Sequence, residues 1–257
     1  MPRLMTHLVA NYPNPQGFCE ALRAMLEVNV DFLEIQLPFT NPVADGEVIY
    51  QANQVAREYG DSLKKILNTC CQIKQNNFPH SATKLMLVAY GTTVLYRDLA
   101  ELVALLKDNG FSGLIIPDLP FGRSPEQTQL SQLCQQHQLQ LIPVIARNTE
   151  DQRLEEIKTW LEANQLIYAM ARTGQTGELT NQADPIISKY LHGLKHSLSD
   201  YQIAVGFGIK DKEQVKDLNS QGFIAVIGTE IVRRISKAKQ ANSSIYDAVF
   251  EFLQELK

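Results

Sequence analysis

Short apolar segments alternate with longer amphipathic ones along the whole chain. Eight segments rich in aliphatic and β-branched residues, each followed by turn residues, are predicted to be strands. They are Leu4–Ala10, Phe32–Leu37, Lys84–Tyr90, Gly113–Asp118, Leu139–Ala146, Leu166–Ala171, Gln202–Gly208 and Phe223–Thr229. The apolar runs are nearly continuous, which is typical of parallel strands that are covered on both faces.

The segments between the predicted strands have helical periodicity. One apolar stripe ends at Asn109-Gly110, a typical helix stop, and consists of Leu99, Leu102, Leu105 and Leu106. A second predicted helix has Thr149 as its N-cap and acidic residues in its first turn. Its apolar stripe consists of Leu154, Ile157, Trp160 and Leu161.

Eight strand-helix units without a Ser/Gly-rich linker predict an α/β fold, a closed (β/α)8 TIM barrel that occupies residues 1–257 as one domain. A doubly wound open sheet is the competing architecture, and the count of eight strands disfavours it. In such barrels the functional residues lie at the carboxyl ends of the strands.

Composition limits the kind of ligand and the compartment. The 257 residues are 44% hydrophobic and have a net charge of -4, so a nucleic acid or an anionic membrane is a poor candidate partner and a small ligand is expected. The four cysteines have no metal-binding spacing, and we expect reduced thiols and no metal site. The N-terminus does not resemble a signal peptide, and no apolar run is long enough for a membrane span, so we expect a soluble, cytoplasmic protein.

Glu34 is the acidic residue of the second predicted strand, "FLEIQL". Alternation directs the aliphatic set Leu33, Ile35 and Leu37 towards the helices and Phe32, Glu34 and Gln36 into the barrel. A carboxyl group withdrawn from water near the catalytic rim suits a residue that both gives and takes a proton. The alternative is that Glu34 pairs with an interior Lys or Arg, for which only Lys84 on the predicted strands is suitable.

Two aspartates follow predicted strands. Asp45 precedes Gly46 in the loop that leaves the same strand end as Glu34, so it is either a second functional carboxylate or a plain turn residue. Asp118 ends the fourth predicted strand and either contacts substrate or accepts hydrogen bonds from loop amides.

Glycines recur after the last three predicted strands, in "ARTGQTG", "GFGIKD" and "IGTEIV". In TIM barrels the loops after the seventh and eighth strands often bind phosphate through backbone N–H groups and a helix N-terminus. We therefore expect a phosphorylated substrate, although each glycine alone could be an ordinary turn residue. The positions are Gly177, Gly208, Gly228 and Thr229.

The segment "LEIQLPFTNPVADGEVI" resembles the signature of the tryptophan synthase α subunit family, and the likeness extends through "GLIIPDLP", "IYAMARTGQTG", "VGFGIKD" and "VIGTEIV". The resemblance implies a TIM-barrel lyase that cleaves indole-3-glycerol phosphate to indole and glyceraldehyde 3-phosphate. It also implies a chain without a cofactor of its own, bound in an α-β-β-α heterotetramer to a β subunit that uses pyridoxal phosphate.

The resemblance also assigns roles to residues. It makes Glu34 the acid-base group and Asp45 the carboxylate that faces the indole nitrogen. It assigns phosphate contacts to the glycine and threonine positions given above. The remaining substrate contacts that it implies are Tyr90, Tyr168, Thr176 and Phe207.

Four positions depart from the family pattern. Gln36 replaces the usual glycine, Asn41 an aspartate of the β-contacting loop, His7 an aromatic indole contact, and Arg147 a proline. The chain also starts almost at the first strand, without the helix that usually covers the barrel floor. Three alternatives therefore stay open: a stand-alone indole-releasing lyase, a weakly active barrel that mainly activates β, and a different phosphate-barrel enzyme.

Overall fold

Parallel strands form the centre of the molecule. The computed structural model describes residues 3–60, 62–119, 124–170, 185–206 and 208–257. Within these ranges nine parallel strands form one sheet, in the order β5-β4-β3-β2-β1-β9-β8-β7-β6. They are β1 (Leu4–Val9), β2 (Phe32–Gln36), β3 (Lys84–Val88), β4 (Phe111–Ile115), β5 (Gln140–Ile142), β6 (Val144–Ala146), β7 (Leu166–Met170), β8 (Gln202–Gly206) and β9 (Ile224–Ile227).

The two ends of this strand order are consecutive in the chain. Only Pro143 separates β5 from β6, and its carbonyl accepts a hydrogen bond from the Tyr168 N–H at 2.9 Å. The predicted (β/α)8 barrel is thereby confirmed over the described residues, and the open doubly wound sheet is not observed. The prediction of one continuous strand at Leu139–Ala146 is wrong, because proline has no N–H to continue the ladder.

Helices surround the barrel. They are α1 (Pro15–Val28), α2 (Glu47–Arg57), α3 (Leu63–Asn77), α4 (Gly91–Val94), α5 (Leu99–Asp108), α6 (Pro125–Gln136), α7 (Asp151–Lys158), α8 (Pro185–Ser197), α9 (Lys212–Ser220), α10 (Thr229–Gln240) and α11 (Ile245–Leu256). The helix predicted to stop at Asn109-Gly110 is confirmed as α5, with Asn109 as its C-cap and Gly110 at a φ of 71°. None of the described helices is long and apolar enough to cross a membrane.

Helix α7 differs from its prediction at both ends. Its N-cap is Glu150, not Thr149, whose hydroxyl instead accepts a hydrogen bond from the Ala146 N–H at 2.9 Å. The Thr149 side chain therefore closes the turn that leaves β6 and is not available to the helix. Trp160 and Leu161 lie beyond the last helical residue, Lys158.

The side chains of the strands form two separate apolar layers. Leu33, Ile35 and Leu37 belong to the large layer between barrel and helices, as predicted. Phe32 belongs to the second layer, which fills the barrel interior together with residues such as Met5, Met86, Ile142, Leu166 and Ile224. The period-2 assignment of β2 is thus confirmed, and Glu34 shares the interior face with Phe32.

Candidate active site

Glu34 lies inside the barrel and is 3% exposed. Its neighbour across the β1–β2 ladder is His7. The Glu34 carboxylate oxygen Oε2 lies 2.8 Å from Nδ1 of His7, whereas Oε1 has no hydrogen-bond partner among the described residues. Glu34 lines a cavity at the carboxyl end of the barrel, so a buried polar atom without a hydrogen bond lies on a side chain that a ligand in this cavity can reach.

The partner of Glu34 was not predicted. Lys84 is exposed, and its ammonium group lies over the ring of Phe32, 5.6 Å from the centroid. The expectation that Lys84 is the only basic candidate for Glu34 is therefore wrong. His7 occupies the position, on the interior face of the adjacent strand and 6% exposed.

A hydrogen-bonded chain connects Glu34 to Asp45. Nε2 of His7 donates to Oε1 of Gln36 at 2.9 Å, and Nε2 of Gln36 donates to Oδ2 of Asp45 at 2.6 Å. Burial alone would lower the pKa of His7, but the hydrogen bond to Glu34 and the negative charges of Glu34 and Asp45 outweigh it and raise the pKa. The two candidate carboxylates thus lie at the ends of one polar chain.

The Asp45 loop is both a turn and a wall of the cavity. The Asp45 N–H donates to the Pro42 carbonyl at 3.0 Å, which closes the turn, and the side chain faces the cavity. The Tyr90 hydroxyl donates to Oδ2 of Asp45 at 3.3 Å and accepts from the Ala44 N–H at 3.1 Å. Burial raises the pKa of Asp45, against the opposing effects of His7, Gln36 and Tyr90.

Two of the predicted glycines and the predicted threonine line the same cavity. Gly208, at a φ of 82°, Gly228 and Thr229 all contribute to its wall. Gly228 is the N-cap of α10, and no side chain caps this helix, so its first N–H groups suit an anion. Thr176, Gly177 and Phe207, which the sequence also suggested, lie outside the described residues.

Two of the aromatic residues predicted to contact substrate, Tyr168 and Tyr90, differ in their relation to the cavity. Tyr168 lines the cavity, and burial together with the charges of Glu34 and Asp45 raises the pKa of its hydroxyl well above the ordinary value. Tyr90 is 1% exposed, stacks on Phe39 with centroids 4.8 Å apart, and supports the Asp45 loop from behind.

Asp118 was expected either to contact substrate or to accept hydrogen bonds from loop amides, and in the structure it accepts one from an amide. Its Oδ1 accepts a hydrogen bond from the Gly91 N–H at 2.8 Å, at the start of the short helix α4. In the part of the chain that the structure describes, no cluster of three or more His, Cys, Asp or Glu side chains could hold a metal ion.

His7 and Gln36 received no functional role from the sequence. The signal was present in the alternation of "LMTHLVA", where His7 has the same parity as Met5 and Val9 and therefore faces the barrel interior. Combining that parity with the parity of Glu34 would have placed both side chains on the interior face, and the register between β1 and β2 then puts them opposite each other.

Comparison with known proteins identifies the family. The family model described as tryptophan synthase alpha chain matches residues 2–257. The tryptophan synthase alpha chain of Bacillus licheniformis is 30% identical over 232 residues, or 90% of this chain and 83% of that protein. That of Helicobacter hepaticus is 32% identical over 241 residues, or 92% of this chain and 86% of that protein.

A solved structure shows the same architecture. A chain of the tryptophan synthase complex from Pyrococcus furiosus superposes with a TM-score of 0.80 over 99% of this chain and 97% of that one, at 21% identity. At this identity the superposition supports the fold alone, whereas the family model covers almost every residue. The chain belongs to the tryptophan synthase alpha chain family.

Proposed function

We propose that the protein cleaves indole-3-glycerol phosphate to indole and glyceraldehyde 3-phosphate by a retro-aldol reaction. The observation that carries this proposal is the buried Oε1 of Glu34, which has no hydrogen-bond partner among the described residues and belongs to a side chain that lines the cavity. Asp45 and the N-terminus of α10 line the same cavity. A carboxyl group, a second carboxylate and an anion site are the groups that this substrate and reaction require.

The acid-base work falls to Glu34. In the first step its protonated carboxyl group gives a proton to C3 of the indole ring, and the ring nitrogen takes up the positive charge. In the second step the Glu34 carboxylate takes the proton of the glycerol hydroxyl next to the ring. The O–H electron pair becomes the new C=O bond, and the C–C bonding pair returns to the ring. Glu34, which takes up its proton before the first step, regains it in the second.

Asp45 stabilises the charged intermediate. Its carboxylate would accept a hydrogen bond from the indole N–H and oppose the positive charge that develops on the ring. The pyrrole edge would then lie between Glu34 and Asp45, and the ring would pack on apolar cavity residues such as Ile115 and Val144. The substrate phosphate would bind the backbone at Gly208, Gly228 and Thr229, and Thr176, Gly177 and Phe207 complete the proposed set.

The partner expected from the family is a tryptophan synthase β subunit in an α-β-β-α heterotetramer. In this arrangement indole passes to the β subunit, which holds the pyridoxal phosphate, and this chain supplies no cofactor. The alternatives are a stand-alone lyase and a barrel whose main effect is to activate β. Asn41, in the loop before Asp45, is exposed and available to a partner.

Glu34→Gln tests the acid-base assignment. The amide keeps the shape of the side chain but cannot exchange protons, so we expect indole release from indole-3-glycerol phosphate to fall by about 10²- to 10⁴-fold. The measurement is steady-state indole release by the full chain, alone and with a β subunit from the same source. Glu251→Gln, on the exposed surface of α11, is the matched control and should keep wild-type turnover.

The same measurements separate the alternatives. Low activity that rises sharply with β supports the coupled heterotetramer, and equal activity with and without β supports a stand-alone lyase. Activation of β by a Glu34→Gln chain that releases no indole would show that catalysis and partnership are separable. Wild-type turnover in Glu34→Gln would contradict the proposed mechanism.

A further inference from the structure

Both ring nitrogens of His7 take part in hydrogen bonds, and these bonds determine which nitrogens carry a proton. Nε2 faces the carbonyl oxygen of Gln36 at 2.9 Å, and Nδ1 faces Oε2 of Glu34 at 2.8 Å. The orientation of the Gln36 amide follows from Asp45, because an ionised carboxylate accepts the Gln36 N–H bond and leaves the amide oxygen for His7. Nε2 of His7 must therefore carry a proton.

The position of the Nδ1 proton follows from the surrounding charges. Glu34 and Asp45 both act on His7, and Tyr168 on β7 faces the same two carboxylates without adding a positive charge. Among the described residues no lysine or arginine forms an ion pair with Glu34, whose ion-pair partner is His7. A cation between two anions is the favoured arrangement, so Nδ1 is protonated as well and the ring is an imidazolium.

Gly228, which follows β9 and caps α10, leaves space for this ring. A Cβ atom added to Gly228 would lie 3.3 Å from the Cβ of His7, and glycine avoids that close contact. His7 therefore lies between the acid-base carboxylate and the start of α10. The position of His7 is thus set by β2 on one side and by Gly228, after β9, on the other.

We propose that His7 is a positioning residue that, as an imidazolium, binds Oε2 of Glu34 and reaches Asp45 through Gln36, so that Oε1 of Glu34 is the oxygen that exchanges protons with the substrate. This inference rests on the function proposed above. The Nδ1–H bond occupies Oε2 and stabilises the carboxylate that remains after Glu34 has given its proton to indole C3. Oε1, the atom without a partner among the described residues, is the one left to react.

The first test observes the protons directly. The chain has five histidines, and the loss of one imidazole signal in His7→Gln assigns His7 in ¹⁵N NMR spectra of the full chain. We expect both ring nitrogens to be protonated at neutral pH, and Nδ1 alone to lose its proton as the pH rises. Protonation should weaken in Glu34→Gln. A neutral ring with a bare Nδ1 at neutral pH would overturn the proposal.

The second test measures kcat and KM for indole-3-glycerol phosphate against pH. Wild type should lose kcat at the alkaline pH at which Nδ1 deprotonates. His7→Phe removes both bonds and should lower kcat by about 10²-fold, the effect of a misplaced catalytic group, with little change in KM. His7→Gln keeps an N–H donor without titrating, so its kcat should recover to within about tenfold of wild type and lose the alkaline limb.

His80→Gln makes the same change at an exposed position and should behave as wild type in every measurement. Wild-type kcat in His7→Phe, or an alkaline limb that persists in His7→Gln, would overturn the role of His7. If His7→Phe does not fold, His7→Gln and the NMR titration decide. If wild type releases no indole at all, the proposed function fails, and the ¹⁵N titration still decides whether the imidazolium joins the two carboxylates.

Discussion

Glu34 and Asp45 lie in different surroundings although one hydrogen-bonded chain joins them. Glu34 is 3% exposed. One of its carboxylate oxygens is hydrogen-bonded to the imidazole ring of His7, and the other has no hydrogen-bond partner among the described residues. Asp45 is half-buried and accepts hydrogen bonds from Gln36 and Tyr90. Different environments allow two carboxylates to take different parts in one reaction, proton exchange by one and charge stabilisation by the other.

We expect Asp45→Asn to lower activity without lowering the stability of the fold. Burial raises the pKa of Asp45, so the ionised side chain destabilises the folded state. That cost is absent below the unfolded-state pKa of about 3.9 and fully present above the folded-state pKa. We expect Asp45→Asn to lower kcat by about 10²- to 10³-fold through lost charge stabilisation, without lowering the free energy of unfolding at neutral pH.

Urea denaturation of both proteins at several pH values measures this difference. The stability of Asp45→Asn relative to wild type should decline as the pH falls towards 4, because wild-type Asp45 then becomes neutral too. Asp200→Asn, in the exposed turn after α8, controls for the change in net charge. A variant that is markedly less stable than wild type at neutral pH would contradict the electrostatic argument.

At the scale of single elements, local sequence patterns correctly predicted which face of a strand a side chain occupies, but they did not predict which residues it contacts on other elements. The alternation in β2 correctly directed Glu34 inwards, because a side-chain period of two is a local property of any strand. The contact with His7 depends on the register between β1 and β2, and the two residues are 27 positions apart. Tyr90 supports Asp45 across 45 positions, which no local pattern could predict.

Strand β4 gives a prediction about packing. Gly113 is buried, and a Cβ added there would lie 2.8 Å from the backbone oxygen of Gln140 and 2.9 Å from Sδ of Met86. The backbone of β5 cannot move away without disturbing the ladder, so Gly113→Ala should lower the free energy of unfolding by about 1–3 kcal/mol.

Gly193→Ala is the matched control for this substitution. Gly193 lies in the middle of α8, is exposed, and would place its Cβ in open space. The same change should raise the free energy of unfolding by about 0.5–1 kcal/mol, because alanine favours the helix. Urea denaturation measures both values, and effects of the same sign would contradict the contact argument.

At the scale of the whole molecule, the barrel closes at an irregular point. The eightfold repetition of strand and helix predicted closure, because eight such units can close into a barrel that leaves no sheet edge exposed. The position of the closure was not predictable from propensity, since the apolar run at Leu139–Ala146 reads as one strand. Pro143 divides it, and within the described ranges β5 pairs with β4 and β6 pairs with β7.

The closure depends on a side chain where the ladder is interrupted. Oε1 of Gln140 accepts a hydrogen bond from the Leu166 N–H at 3.2 Å, and Leu166 is 1% exposed. Gln140→Leu would leave this N–H buried without its acceptor, at a cost of about 1–3 kcal/mol in the free energy of unfolding. Gln135→Leu is the control, because Gln135 bonds Glu162 at the exposed surface, where water can replace the contact. Equal stabilities of the two variants in urea denaturation would show that the backbone alone closes the barrel. A selective loss in Gln140→Leu would show that the Gln140 side chain supplies the acceptor for the buried Leu166 N–H between β5 and β7.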